Sequence, residues 1–181
     1  EGNRTMNIQT GVAAAGAEVR HGGIREIVRD TIYRATMLLD DQKWEEWLDL
    51  CDEGFLYDIK AWSPEINYDM TYLHATKADL GNLIRLLPKH NTDHSPLTRH
   101  TSVYSVEVAE DGASARAVSS FVIFQHLLDG TNSHIDSGES RLFLVGRYTD
   151  PLRIGNGTAR FLPREVRLAN RRLDKGSHWP L

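Results

Sequence analysis

His90 and His94 stand four residues apart with Asp93 between them. That spacing puts two imidazoles on one turn of a helix, where they can share a metal ion. Both lie between Pro88 and Pro96, and proline disfavours a helix there, so the spacing loses its geometric meaning. His134-Ile135-Asp136 supplies the His-x-Asp half of an iron facial triad, with His178 as a distal histidine. That set normally sits on an all-β double-stranded helix, and the helical pattern of the first half of this chain argues against it. The single cysteine, Cys51, rules out an internal disulfide and a cluster held by four cysteines or by two cysteines and two histidines. We therefore assign no metal ligands and no catalytic residues.

Nucleophilic chemistry is equally poorly provided for. The chain has no Gly-x-Ser-x-Gly elbow, no phosphate-cradling glycine loop and no His-Glu-x-x-His. Cys51 continues the apolar stripe of Trp44, Trp47 and Leu48, which marks it as a buried, unreactive thiol. General acid–base work is the remaining option. Tyr57, Asp58, His100, Tyr104 and His126 are the polar groups that would line a cavity, and a satisfied structural hydrogen bond is the better reading of each. Arg147, Tyr148, Asp150 and Arg153 form a last polar cluster, at the end of an apolar strand. They read either as a site or as an interface.

Helices come first among the elements that must position these groups. Residues 1–22 are small or polar, with the run Gly11-Val12-Ala13-Ala14-Ala15-Gly16-Ala17, and read as a mobile arm or one ordered only against a partner. Residues 23–181 read as one domain. Ile24, Ile27, Val28, Thr31, Ala35 and Leu38 make a helical stripe over 24–39, and a second short helix follows over 42–51. Its Trp44 and Trp47 suit a core or a protein interface. A strand over 55–59 pairs with one over 66–73. Thr76 and Asp79 fit a capping box for a third helix, which Pro88 closes. Long strands then alternate with turns at Asp111-Gly112, Asp129-Gly130 and Asn156-Gly157. They cover 97–109, 113–128, 133–148 and 158–169, with Asp150-Pro151 stopping the third and Pro163 marking an edge or bulge in the fourth; residues 171–181 read as irregular. Gly146 sits inside a strand and calls for a bend, a bulge or a close backbone approach. The class is α+β: N-terminal helices packed on a strongly curved antiparallel sheet, a cone that can hold a pocket or be filled solid.

At 181 residues, with 40% hydrophobic and 25% charged residues, the chain can bury a proper core. A net charge of −4 argues against nucleic-acid binding. No apolar run reaches the length of a membrane span and no secretory leader is evident, so a cytoplasmic home is expected. From Arg141 to Leu181 the chain holds nine Lys/Arg against three Asp/Glu, a basic part on an acidic body. This polarity is complementary within one fold or between subunits.

Four segments, in order, carry a resemblance. Leu38-Leu39-Asp40-Asp41-Gln42-Lys43-Trp44-Glu45-Glu46-Trp47-Leu48 resembles the helical opening of the small (β) subunits of aromatic-ring-hydroxylating dioxygenases, which are Rieske non-haem iron oxygenases. Pro96-Leu97-Thr98-Arg99-His100 with Val103 and Val106-Glu107-Val108 resembles their first long strand, and Val118-Ser119-Ser120-Phe121 their second. Val145-Gly146-Arg147-Tyr148-Thr149-Asp150 with Leu152-Arg153 resembles their C-terminal Gly-Arg segment. The resemblance implies the nuclear-transport-factor-2-like cone, a non-catalytic structural role and α₃β₃ hexamers. It also implies a large α subunit that carries the Rieske [2Fe–2S] cluster and the mononuclear iron, leaving no cofactor in this chain. Trp44, Trp47, Arg99, Arg147, Tyr148, Asp150 and Arg153 would then meet neighbouring subunits. The chain departs from the family at Tyr57-Asp58-Ile59-Lys60, which lacks the family's proline, and over 61–76. The function read here is the structural β subunit of an aromatic-ring-hydroxylating dioxygenase, with a related oxygenase acting on a non-aromatic compound such as a sulfonate as an alternative. The other alternative is a free-standing cone-fold dehydratase or isomerase using the five cavity candidates.

Overall fold

The computed structural model describes residues 2–90, 94–128, 138–171 and 180–181, and their side chains except those of 2–15, 17 and 90. The chain opens with α1 (Gly2–Asp40), so the helix expected over 24–39 is its C-terminal part and the low-complexity run, read as part of an arm, is helical. Ile24, Val28, Ile32, Ala35 and Leu39 recur every three or four residues and are buried against the sheet. Gln42 turns the chain with a left-handed backbone (φ 56°), which shortens the next helix to α2 (Trp44–Asp49). Cys51 leaves the helix and bridges Phe161 instead.

Strands β1 (Leu56–Ser63) and β2 (Tyr68–Thr76) form the expected hairpin, and α3 (Lys77–His90) follows directly. The capping box forms as read: Thr76 donates its backbone N–H to Asp79 Oδ2 at 3.0 Å, and Asp79 donates its N–H to Thr76 Oγ1 at 3.2 Å. Pro88 does not close the helix. In the last turn a proline forfeits one backbone bond, and α3 runs two residues further, to His90. Then come β3 (Leu97–Val108), β4 (Ser114–His126), β5 (Ser140–Gly155), β6 (Thr158–Phe161) and β7 (Arg164–Leu168). The Asp129-Gly130 turn, the strand portion over 133–137 and the tail over 172–179 lie outside the described residues, as do Asp93, His134, Asp136 and His178.

Seven strands make one sheet among the described residues, in the order β2-β1-β7-β5-β4-β3, with β6 pairing β5. All pairs are antiparallel except β1 with β7, which is parallel. Register shifts at Ile59/Lys60, Val103/Ser105 and Ile123/Phe124 let the sheet bend around its helices.

Two sequence expectations are corrected at β5 and beyond. Asp150-Pro151 does not stop the strand; β5 continues to Gly155. Pro151 stands opposite Arg116 with its missing N–H directed away from β4, and its carbonyl accepts from the Leu162 N–H at 2.9 Å, at the junction of β6 and β7, where no ladder donor is needed. The single last strand becomes two. Leu162-Pro163 breaks it, so that β6 pairs with one part of β5 and β7 with another. Gly146 lies where the backbones crowd. A Cβ there would stand 2.4 Å from the Arg167 carbonyl oxygen and 2.7 Å from the Phe121 ring, the close approach that its place in a strand predicts.

Candidate functional site

The inner face of the sheet gathers a polar group inside an apolar wall. Period-two alternation turns Tyr148, Asp150 and Leu152 of β5 inward with Ala117, Ser119 and Phe121 of β4. From β7, Arg164 grips Asp150 with two parallel bonds, Nε to Oδ1 at 2.7 Å and Nη2 to Oδ2 at 2.9 Å. Both side chains are essentially sealed from water. The guanidinium also covers the rings of Phe161 and Tyr148, 4.4 and 4.6 Å from their centroids. Tyr148 stacks in turn on Phe121 at 4.3 Å.

A second buried arginine lies on β3. Arg99 Nη1 donates to Asp40 Oδ1 at 2.6 Å, and its backbone N–H also reaches that carboxylate. Asp40 ends α1, so this contact fastens the long helix to the sheet. Tyr57 of β1 packs edge-on against Trp47 of α2, centroids 6.1 Å apart. Its hydroxyl accepts from the Leu181 N–H at 2.7 Å and donates to the Leu181 main-chain oxygen at 3.0 Å.

Each buried arginine is matched by one carboxylate, so the interior is neutral in sum. Burial pushes the Tyr57 hydroxyl well above the usual phenol range and the Tyr148 hydroxyl up to about 12. Burial likewise pushes the Cys51 thiol up to about 12, which leaves it the inert thiol its place on the apolar stripe implies. The cavity beside Arg99, lined with Leu39, Asp40, Trp44 and Leu97, measures about 10 Å³, room for about one water. Among the described residues no group of three or more His, Cys, Asp and Glu side chains is placed to hold a metal ion.

The five acid–base candidates do not converge. Tyr57 points inward and is bonded to Leu181, while Asp58, its neighbour on the same strand, points outward. Asp58 bonds His74 Nδ1 at 2.5 Å and pairs with Lys60 Nζ at 3.1 Å. Partial burial raises its pKa, but the bonds from His74 and Lys60 outweigh that and hold it below the ordinary value. His100 is exposed, edge-on to Phe124, and Tyr104 is 60% exposed. His126 lies between Thr98 Oγ1 at 2.8 Å and Ser140 Oγ at 2.7 Å. All five thus hold structural or surface positions.

The seven interface candidates divide the same way. Trp47, Arg99, Tyr148 and Asp150 are buried within the chain itself. Their burial is a correction: the inward register of β5 carries Tyr148 and Asp150 into the core. Trp44 is half-buried, and Arg147 and Arg153 are exposed. Arg147 lies 5.9 Å from the Tyr104 ring, and Arg153 pairs with Asp52 at 2.8 Å. The residue missed in the sequence is Arg164, whose partner Asp150 is fourteen residues away. The inward-facing polar residue on each of two neighbouring strands was the available signal.

The sequence model of the family described as ring hydroxylating beta subunit matches residues 34–175. The chain is 72% identical over 156 residues to the methanesulfonate monooxygenase hydroxylase subunit beta of Methylosulfonomonas methylovora, covering 86% of each chain. In structure it is similar to the beta subunit of the benzoate 1,2-dioxygenase from Burkholderia mallei ATCC 23344 (TM-score 0.61, 15% identity, 84% of this chain and 95% of that one). It is also similar to an NTF2-like protein with a cystatin-like fold from Novosphingobium aromaticivorans (TM-score 0.56, 18% identity, 92% and 96%).

Proposed function

The chain belongs to the ring-hydroxylating β-subunit family, and on that premise we propose that it is the non-catalytic small subunit of a sulfonate-hydroxylating oxygenase. As a β subunit of a multi-subunit oxygenase it has a large α partner. The identity of 72% to a methanesulfonate monooxygenase β subunit is the observation that carries the substrate reading, and it favours a small sulfonate over an aromatic hydrocarbon. The small cavity beside Arg99 and the paired buried charges support the non-catalytic role, because acid–base turnover needs an open cavity.

In this reading the α subunit carries the Rieske [2Fe–2S] cluster and the mononuclear iron, and three copies of each chain assemble as α₃β₃ in the cytoplasm. Trp44, Arg147 and Arg153 are the surface residues that meet neighbouring subunits. Residues 1–22 serve as an arm that packs on a neighbour, and 23–181 as the single folded domain. Exposed Tyr104 and Leu142, at 60% and 61%, give the outer sheet face the aromatic and apolar character that subunit contacts use.

Co-expression with the adjacent large chain tests this. The expected outcome is a complex whose mass fits three copies of each chain, with iron retained by the large chain and methanesulfonate-dependent oxygen uptake. Uptake driven by an aromatic hydrocarbon but not by methanesulfonate refutes the substrate reading. Turnover of any substrate by this chain alone refutes the non-catalytic role.

A further inference from the structure

Pro180 and Leu181 lie inside the molecule, and Leu181 is wholly buried. The groups that hold them come from distant parts of the sheet. Tyr57 of β1 bonds both the N–H and the main-chain oxygen of Leu181, at 2.7 and 3.0 Å. Arg99 of β3 donates from Nη2 to the Pro180 carbonyl at 2.7 Å. In the order β2-β1-β7-β5-β4-β3, β1 and β3 are not neighbours; three strands separate them. The dipeptide therefore spans the hollow of the sheet and joins two strands that make no ladder with each other.

The receiving groups are built for the task. Tyr57 is 0% exposed and Arg99 5%, and Arg99 is already oriented by two contacts to Asp40. If the dipeptide withdrew, the Tyr57 hydroxyl and Arg99 Nη2 would be left buried without these partners, and an apolar void would replace the Leu181 side chain. Both penalties oppose withdrawal. A hydroxyl that satisfies the N–H and the oxygen of one residue, together with a guanidinium on the preceding carbonyl, is recognition of a peptide backbone. The side chain is chosen by an apolar pocket.

We propose that the interior of the cone is a binding site for a short apolar peptide, and that the chain fills it in cis with Pro180–Leu181. The strap closes the hollow that this fold could otherwise open to a small molecule, and it ties β1 to β3. This goes beyond the subunit role and does not depend on it.

Amide hydrogen exchange on the intact chain tests the proposal. The Leu181 amide should exchange at least about 100-fold more slowly than in the denatured chain, and Y57F should speed it at least about tenfold. Exchange at the denatured rate in the unmodified chain overturns the proposal, as does an unchanged rate in Y57F. A second measurement uses L181C. The introduced thiol should alkylate about as slowly as buried Cys51, located by mass spectrometry, whereas alkylation at the denatured-chain rate counts against a seated strap. A chain shortened by Pro180 and Leu181 should be stabilised against heat by acetyl-Pro-Leu in a saturable way. Absence of stabilisation up to about 10 mM overturns the site as a peptide site.

Discussion

Asp150 and Arg164 show how much one buried pair decides. Each is sealed from water, and each is the other's bidentate partner. Removing one charge strands the other, so D150N should destabilise the chain by about 3–5 kcal/mol in a urea melt. A loss below about 1 kcal/mol would show that the pair is dispensable. Glu65 gives a pH-dependent case at the surface. Its bonds from Arg171, with a bond to its own backbone N–H and one from the Ser63 hydroxyl, lower its carboxyl from 4.5 to about 2. A carboxylate depressed in the folded state contributes stability that is present above its unfolded value and lost as pH falls through the folded one. The contribution is therefore whole above about pH 4.5 and fades towards pH 2. An NMR titration should place the Glu65 midpoint well below 4.5, and R171A should return it towards the ordinary value. The composition named these residues as charged or polar. It could not say that Asp150 faces Arg164 while Arg153, three residues on, faces solvent and Asp52.

At the scale of elements, local signals worked where the physics is local. The Thr76–Asp79 box and the Asp111-Gly112 and Asn156-Gly157 turns all stand where the sequence puts them, with Gly112 and Gly157 at positive φ. T76A should therefore lower stability by about 1 kcal/mol, through loss of the cap alone. Gly146 makes a larger prediction, because a Cβ there meets backbone that cannot swing away. G146A should cost about 3 kcal/mol or more and depress the melting temperature by several degrees. A near-neutral G146A would show that β7 shifts freely against β5. Pro151 was misjudged for one reason. Whether a missing N–H breaks a strand depends on what lies on that side, and for Pro151 it is the junction between β6 and β7. That is a tertiary fact.

At the scale of the whole molecule, the helices-then-sheet order was legible from hydrophobic period alone: 3.6 in the first half, 2 in the second. The parallel pairing of β1 with β7 was not, since it joins strands about a hundred residues apart. The five residues of the free-standing enzyme reading point to opposite sides of the sheet. Removing residues 1–22 should leave the domain folded, with an unchanged far-UV spectrum per residue of the remaining core, while weakening assembly with the large subunit in size-exclusion chromatography. Unfolding of the shortened chain would assign those residues to the core instead.

The sequence by itself determined the class of fold and the family, because these rest on periodicity, ordered local motifs and the kinds of residue present. Only the tertiary structure decided which polar groups are inside. A strand sends alternate residues to opposite faces, and which face is buried depends on partners far along the chain. So Tyr148 and Asp150, read as subunit-contact residues, are buried in the core, and Pro180–Leu181, read as part of an irregular tail, are buried and bonded to Tyr57 and Arg99.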